Sequence, residues 1–170
     1  QQRRHARRFG NLLTSLLQPE GVGLHHITWR ATASALSNAD VLAEAMAWLI
    51  GDEDAVKRDR STSYHGPELT LVTASTMNKR KALKSLARLG ETNLRRLQEE
   101  LTQRMDDEHV LHFRVSIDSV VEGEPKLTVG SGTGNVKGQA KFEVYSGLTE
   151  LEQLQNTFDE VYELVEGSGA

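Results

Sequence analysis

The segment Leu24-His-His-Ile-Thr-Trp-Arg-Ala-Thr-Ala-Ser34 alternates between apolar and polar side chains. Ile27 and Trp29 have one parity, and Thr28 and Arg30 have the other. Because successive side chains of a β-strand point to opposite faces, this alternation predicts a strand with one buried face and one polar face. Such a strand belongs to a sheet that is covered on one side only, so this segment decides the fold class.

Patterns of strand and helix spacing continue through the rest of the chain. Further strands are predicted at 56–64, 69–76 and 109–117, and a closing hairpin is predicted from 127–129 and 136–145 around the glycine-rich turn 130–134. Helices are predicted at 41–50, 78–90, 94–105 and 149–165. This order predicts an α+β domain, a mostly antiparallel sheet with helices on one face. The polar face of the sheet would carry Thr28, Arg30, Arg114, Lys137, Gln139 and Lys141.

The helix predicted at 78–90 has an unusual distribution of charge. Arg80, Lys81, Lys84 and Arg88 share one side at helical spacing, opposite a leucine-rich side. Lys79, Arg80 and Lys81 occupy the first turn, where the helix dipole disfavours cations by a few tenths of a kcal/mol each. Free backbone N–H groups together with these cations favour an anion site, most simply one for a phosphate.

Charge is distributed unevenly along a chain whose formal net charge is −4. Residues 57–96 contain ten Lys or Arg and three acids, whereas residues 147–170 contain six acids and no Lys or Arg. This asymmetry predicts a basic face and an acidic helix. Three parts are expected: a basic amphipathic helix with a linker at 1–22, an α+β domain at 23–147 and the acidic helix at 148–170. The first part fits a transit peptide, a membrane-surface helix, a nucleic-acid arm or an extra helix on the core.

Motifs of catalysis and cofactor binding are missing from the sequence. There is no Cys, which excludes disulfides and thiolate metal sites, and the six His do not fall at metal-ligand spacing. The glycine-rich loop 130–134 precedes a strand pattern, whereas a phosphate-binding loop must open a helix. No apolar run reaches the roughly 20 residues that span a bilayer. The sequence therefore predicts no enzyme, no metal, no cofactor and no membrane span.

Base stacking is also disfavoured at the strand predicted from residue 136. Residues 137–144 approach the start of an RNA-recognition-motif signature, but Gln139 and Lys141 stand where that motif needs exposed aromatic rings. Binding of a nucleic acid is therefore expected to depend on charge and shape, and to weaken steeply with salt.

Residues 24 to about 147 resemble an archaeal family of predicted RNA-binding proteins described as exosome-associated subunits. The segments that carry the resemblance are His26-Ile-Thr-Trp-Arg-Ala-Thr-Ala-Ser34, 41–50, Tyr64-His-Gly-Pro67, Met77-Asn-Lys-Arg-Lys-Ala-Leu-Lys84 and Lys141-Phe-Glu-Val-Tyr145. The resemblance implies a fold similar to a ribosomal-protein-type RNA-binding domain, RNA as the ligand and an archaeal cytoplasmic setting. The chain departs from the family in lacking an Asn between Gly66 and Pro67, and in having Ser119-Val120 where a Lys-Gln pair is usual.

The sequence thus predicts a non-catalytic RNA-binding protein. The expected phosphate contacts are Lys79, Arg80, Lys81, Lys84 and Arg88, with Arg58 and Arg60 as neighbours and with Arg30 and Arg114 on the open sheet face. The expected partners are structured RNA and an exosome or another RNA-processing protein, and the oligomeric state stays open. The alternatives are a scaffold subunit that docks through the acidic helix, and a hydrolase or transferase whose site is assembled from distant residues.

Overall fold

The computed structural model describes residues 23–34, 39–62, 68–129, 134–145 and 149–168. The strands are β1 (Leu24–Ser34), β2 (Val56–Thr62), β3 (Glu68–Thr76), β4 (Val110–Ser116) and β5 (Asn135–Phe142). The helices within these residues are α1 (Ala39–Ile50), α2 (Lys79–Ala87), α3 (Glu91–Glu99), α4 (Leu101–Arg104), α5 (Ile117–Val121) and α6 (Glu150–Ser168), besides a 3₁₀ turn at Glu53–Ala55.

All five strands form one antiparallel sheet with the order β2-β3-β1-β5-β4. The predicted α+β fold is therefore confirmed, and β1 lies at the centre of the sheet. Trp29 of β1 lies opposite Ala74 on one neighbour and Gly138 on the other, so these residues face the same side. All three are buried, and this side of the sheet carries the core.

Helix α2 is anchored to the buried side of the sheet by a polar contact. Trp29 Nε1 donates a hydrogen bond to Ser85 Oγ at 2.8 Å, and Ser85 Oγ donates to the Leu49 carbonyl at 2.7 Å. Ser85 is buried, so each of these polar groups needs a partner inside the protein. One hydroxyl thus links β1, α1 and α2.

Helix α6 packs its apolar side onto the same core. Leu154, Phe158 and Val161 are buried, and Phe158 stacks on Phe142 of β5 with ring centroids 6.1 Å apart. Thr149 caps the start of α6, since its Oγ1 accepts a hydrogen bond from the Glu152 amide. Most of the apolar side of α6 is therefore buried inside the domain, although Leu151 in its first turn is exposed, and the opposite side of the helix is acidic.

Two sequence predictions fail at the β4 edge of the sheet. The hairpin of 127–129 with 136–145 is wrong, because Leu127 bridges Val115 at the outer edge of β4 while β5 pairs with β1 and β4. The segment after β4 forms the short helix α5, capped by Ser116, at a position where the sequence pattern indicates the end of a strand and no helix. The glycines of the predicted turn at 130–133, and the turn at 65–67, lie outside the described residues. Among the helices that are described, none has the length and apolar character needed to cross a membrane.

Candidate nucleic-acid interface

A row of basic side chains crosses the open face of the sheet. The strand registers place Lys57, Thr73, Arg30, Lys137 and Arg114 opposite one another in that order, one residue from each strand. These residues have the parity opposite to Trp29 and Val72, which are buried, so they point away from the helices. Four of the five positions therefore present a cation on the face that none of the described helices covers; we call this face the open face and these four cations the cation row.

Electrostatics of the cation row oppose folding. Like charges directly opposite each other on paired strands are destabilising by roughly 0.2–1 kcal/mol. Within the described residues Lys57, Arg30 and Lys137 form no ion pair, and the nearest strand carboxylate on the same face is that of Asp59, two residues along β2. These three cations therefore favour an anionic ligand on this face.

Uncharged hydrogen-bonding groups surround the cation row. Thr28 and Gln139 lie opposite each other next to Arg30 and Lys137, and Thr32 and Ser75 continue the same face on β1 and β3. Hydroxyl and amide groups of this kind are regular partners of phosphate and sugar oxygens.

An open pocket of about 540 Å³ lies where the cation row reaches the β4 edge. Arg104, His112, Arg114, Thr128 and Lys137 contribute polar groups to its wall. His112 Nε2 lies 2.8 Å from Asp106 Oδ2, and this hydrogen bond, with smaller help from the backbone amide of Val110, lowers the pKa of Asp106 to about 2. At neutral pH the Asp106 carboxylate is therefore charged.

The first turn of α2 is partly neutralised by carboxylates. Lys79 Nζ lies 3.3 Å from Glu143 Oε2, and Lys81 Nζ lies 3.5 Å from Asp52 Oδ2. Asn78 caps the helix, because its Oδ1 accepts a hydrogen bond from the Lys81 amide at 3.0 Å. A phosphate at this helix end would compete with Glu143, Asp52 and the cap.

Glu143 remains a good partner for Lys79 over a wide pH range. Tyr145 Oη donates a hydrogen bond to Glu143 Oε2 at 2.5 Å, and this bond, followed by the contact with Lys79, lowers the pKa of the carboxyl. His25 Nε2 lies 3.6 Å from the other oxygen of Glu143. The ion pair between Lys79 and Glu143 links α2 to the segment that follows β5.

The outer side of α2 keeps two cations exposed and unpaired within the described chain, Arg80 and Lys84. Arg88, one turn further on, lies over the Trp48 ring with its Cζ atom 5.0 Å from the ring centroid. A cation–π contact leaves the guanidinium edge open to a further hydrogen bond. The three side chains form a stripe, which we call the α2 stripe, on the helix layer and not on the open sheet face.

Arg58 and Arg60 also lie on the helix side of the sheet. In the strand register Arg58 lies opposite Val72, and Arg60 lies opposite Thr70. Both arginines therefore have the parity of the residues that face the core. Arg58 Nη1 lies 2.7 Å from Asp40 Oδ1 on α1, whereas Arg60 is exposed. The predicted contacts therefore divide between two surfaces, with Arg30 and Arg114 on the open face and the others on the helix layer.

Two members of the cation row, Lys57 and Lys137, are not among the phosphate contacts expected from the sequence. Lys137 lies opposite Arg114 on the polar face, and the alternation of the sequence is enough to indicate this position. Lys57 joins the row only through the pairing of β2 with β3, and no local pattern specifies that register. The described residues contain no cluster of three His, Asp or Glu side chains able to hold a metal ion.

Comparison with known proteins assigns the chain to a family. A family model described as RNA binding matches residues 26–142, which include most of β1, all of β2 to β5 and the whole cation row. The chain belongs to this RNA-binding family. No curated protein gives a significant match.

Solved archaeal proteins share the fold of this RNA-binding family member. Mth689, a DUF54 protein from Methanothermobacter thermautotrophicus, superposes with a TM-score of 0.59 at 15% identity, covering 84% of this chain and 98% of its own. AF2318 from Archaeoglobus fulgidus, also a DUF54 protein, has a TM-score of 0.61 at 19% identity, with 83% and 99% covered. SSO0741 from Sulfolobus solfataricus has a TM-score of 0.57 at 13% identity, with 81% and 98% covered. At these identities the likeness concerns the fold alone.

Proposed function

We propose that this chain is a non-catalytic RNA-binding protein that holds the phosphate backbone by charge. The observation that carries the proposal is the cation row, in which Lys57, Arg30, Lys137 and Arg114 lie on four of the five strands, on the face that none of the described helices covers. Membership of the RNA-binding family supports the choice of RNA as the polyanion.

A second contact surface is proposed on the helix layer. Arg80 and Lys84 are its main contacts because they have no carboxylate partner among the described residues, and Arg88 adds a guanidinium held by Trp48. Lys79, Lys81 and Arg58 would have to exchange Glu143, Asp52 and Asp40 for phosphate, which reduces their net contribution. Arg60 is exposed on the helix side of β2.

A filter-binding titration with a folded RNA over a salt series tests the proposal. Each cation that contacts a phosphate releases a counterion, so the affinity should fall steeply with salt. The variant R30A/K137A should bind more weakly and should lower the salt slope by about two, one for each lost contact. A flat salt response, or no binding at low salt, would overturn the proposal.

A matched control distinguishes the loss of cations at the proposed site from the change in the net charge of the protein. Arg95 and Arg96 lie on α3, where Arg95 pairs with Glu91 at 2.5 Å and Arg96 with Glu100 at 3.3 Å. The variant R95A/R96A removes the same charge as R30A/K137A and should leave affinity near that of the wild type. The variant R80A/K84A measures the share of the α2 stripe in the same assay.

The cellular partner is proposed from the family resemblance. The protein would work in the cytoplasm with an RNA-processing complex such as an exosome, to which it would bring RNA. Affinity purification from the native source, with and without ribonuclease, tests this part. Recovery of no RNA-processing protein under either condition would count against the partner and would leave RNA binding itself untouched.

A further inference from the structure

We infer that the RNA segment lying on the open sheet face is double-stranded and is held through its backbone and 2′-hydroxyl groups. The inference rests on the proposed function and concerns the class of RNA at the cation row. Three features of the face carry it: the location of the aromatic rings, the distribution of hydroxyl groups and the width of the cation row.

Aromatic side chains are absent from the described part of the open face. Trp29, Phe113, Phe142 and Phe158 are buried in the core, and Trp48 lies beneath Arg88 on the helix layer. Tyr145 follows β5 and is bonded to Glu143, while Tyr162 of α6 is bonded to Gln98. Phe9 and Tyr64 lie outside the described residues.

The imidazoles on this face are engaged with other side chains. His112 is bonded to Asp106, and His26 Nδ1 lies 2.7 Å from His25 Nδ1. Desolvation and the neighbouring His25 lower the pKa of His26, so this ring adds little positive charge.

Proteins that bind single strands stack the exposed bases on aromatic rings, and each stack strengthens binding by about tenfold or more. A single strand on this face would lack that contribution, whereas a duplex keeps its bases stacked on each other.

Hydroxyl groups occupy several of the open-face positions on the two strands at the middle of the cation row. The neighbouring strands β1 and β3 carry four such groups with open-face parity, those of Thr28, Thr32, Thr73 and Ser75. Other described residues do not engage these side chains in hydrogen bonds. Hydroxyls at this position can donate to phosphate oxygens and can exchange hydrogen bonds with 2′-hydroxyls, which distinguish RNA from DNA.

The dimensions of the face also fit a duplex. The cation row spans the four gaps between five strands, or about 19 Å at about 4.8 Å per gap. An A-form helix presents a wide and shallow minor groove with 2′-hydroxyls, bordered by the phosphates of both strands. A broad face with cations spread across it and hydroxyls between them is complementary to that groove.

The experiment compares three ligands of one sequence: an RNA duplex, either of its single strands, and the corresponding DNA duplex. Affinities are measured by fluorescence anisotropy over a salt series. The affinity for the RNA duplex should exceed that for the single strand by about tenfold or more, because the described part of the face offers no aromatic rings on which the bases of a single strand could stack. It should also bind more tightly than the DNA duplex, because only RNA offers 2′-hydroxyls.

The variant T28V/T73V isolates the hydroxyls. Valine has the shape of threonine and suits a strand, so the fold should survive, which circular dichroism checks. The preference for the RNA duplex over the DNA duplex should shrink severalfold while the salt slope stays unchanged, because no cation is lost. The control T92V/T102V changes two exposed threonines on α3 and α4 and should alter neither quantity.

The outcomes separate this inference from the proposed function. Equal or tighter binding of the single strand overturns the inference but leaves RNA binding in place, as does equal affinity for the RNA and DNA duplexes. An unchanged preference in T28V/T73V overturns it as well. Failure of every RNA to bind at low salt removes the proposed function and the inference together.

Discussion

Arg30 of β1 and Lys137 of β5 lie directly opposite each other in the antiparallel sheet, and Lys137 faces Arg114 of β4 on its other side. Three cations on three adjacent strands repel one another in the free protein. Interactions of this kind are tolerated where a ligand supplies the opposite charge. The arrangement therefore leads to a prediction in which stability and binding change in opposite directions.

Replacing Lys137 by Thr should stabilise the free protein and weaken RNA binding. Removal of the central cation relieves two like-charge contacts, each costing roughly 0.2–1 kcal/mol, and threonine suits a strand. Urea denaturation of the free protein measures the first effect and anisotropy with an RNA duplex measures the second. The control K126T changes an exposed lysine outside the strands and should shift neither. A K137T protein that is less stable and binds equally well would remove the cation row from the interface.

Replacing Ser85 by Ala should destabilise the fold by roughly 1–3 kcal/mol. The hydroxyl accepts a hydrogen bond from Trp29 Nε1 and donates one to the Leu49 carbonyl, all in the core. Without it the indole N–H and the carbonyl lose their partners, since the buried site excludes water. Urea denaturation measures the change, and the exposed Ser75→Ala serves as the control. A change of a few tenths of a kcal/mol in S85A would mean that the core rearranges to satisfy both groups.

Much of this fold follows from local pattern, whereas the interface depends on contacts between distant segments. The alternation around Trp29 and around Phe113 predicts both the strands and the face that each residue occupies. The pairing of Lys79 with Glu143 joins residues far apart in the chain, so no spacing rule indicates it. The position of Lys57 in the cation row depends in the same way on register. The hairpin prediction at Leu127 failed because a short strand-like run can pair with any free edge, and here it covers that of β4.

Replacing Gly138 by Ala should destabilise the sheet by roughly 1–3 kcal/mol. A Cβ atom at this position would overlap the ring of Phe113, which lies directly across the strand pair from Gly138. The ring cannot withdraw easily because its edge packs against Trp29, with centroids 5.3 Å apart.

A double-mutant cycle tests this explanation of Gly138. Leucine at residue 113 removes the ring, so G138A should cost less in the F113L background than in the wild type. Equal costs in the two backgrounds would show that the effect of alanine comes from the backbone and not from the contact with Phe113.

Acid should destabilise the protein partly through Asp106. The hydrogen bond with His112, followed by the amides of Val110 and Glu108, lowers the pKa of this carboxyl from 3.8 to about 2. A carboxyl whose pKa is lower in the folded state contributes stability above its unfolded pKa and loses that contribution as the pH falls through the folded value. The contribution of Asp106 should therefore be complete above about pH 5 and should disappear between about pH 4 and pH 2.

Because Asn does not titrate, the free energy of unfolding of D106N should depend less on pH in this window than that of the wild type. Urea denaturation at a series of pH values measures both curves. The control is D107N, at a neighbouring exposed acid whose side chain forms no hydrogen bond or ion pair with the described residues. Parallel curves for D106N and the wild type would show that the contact with His112 does not persist in solution.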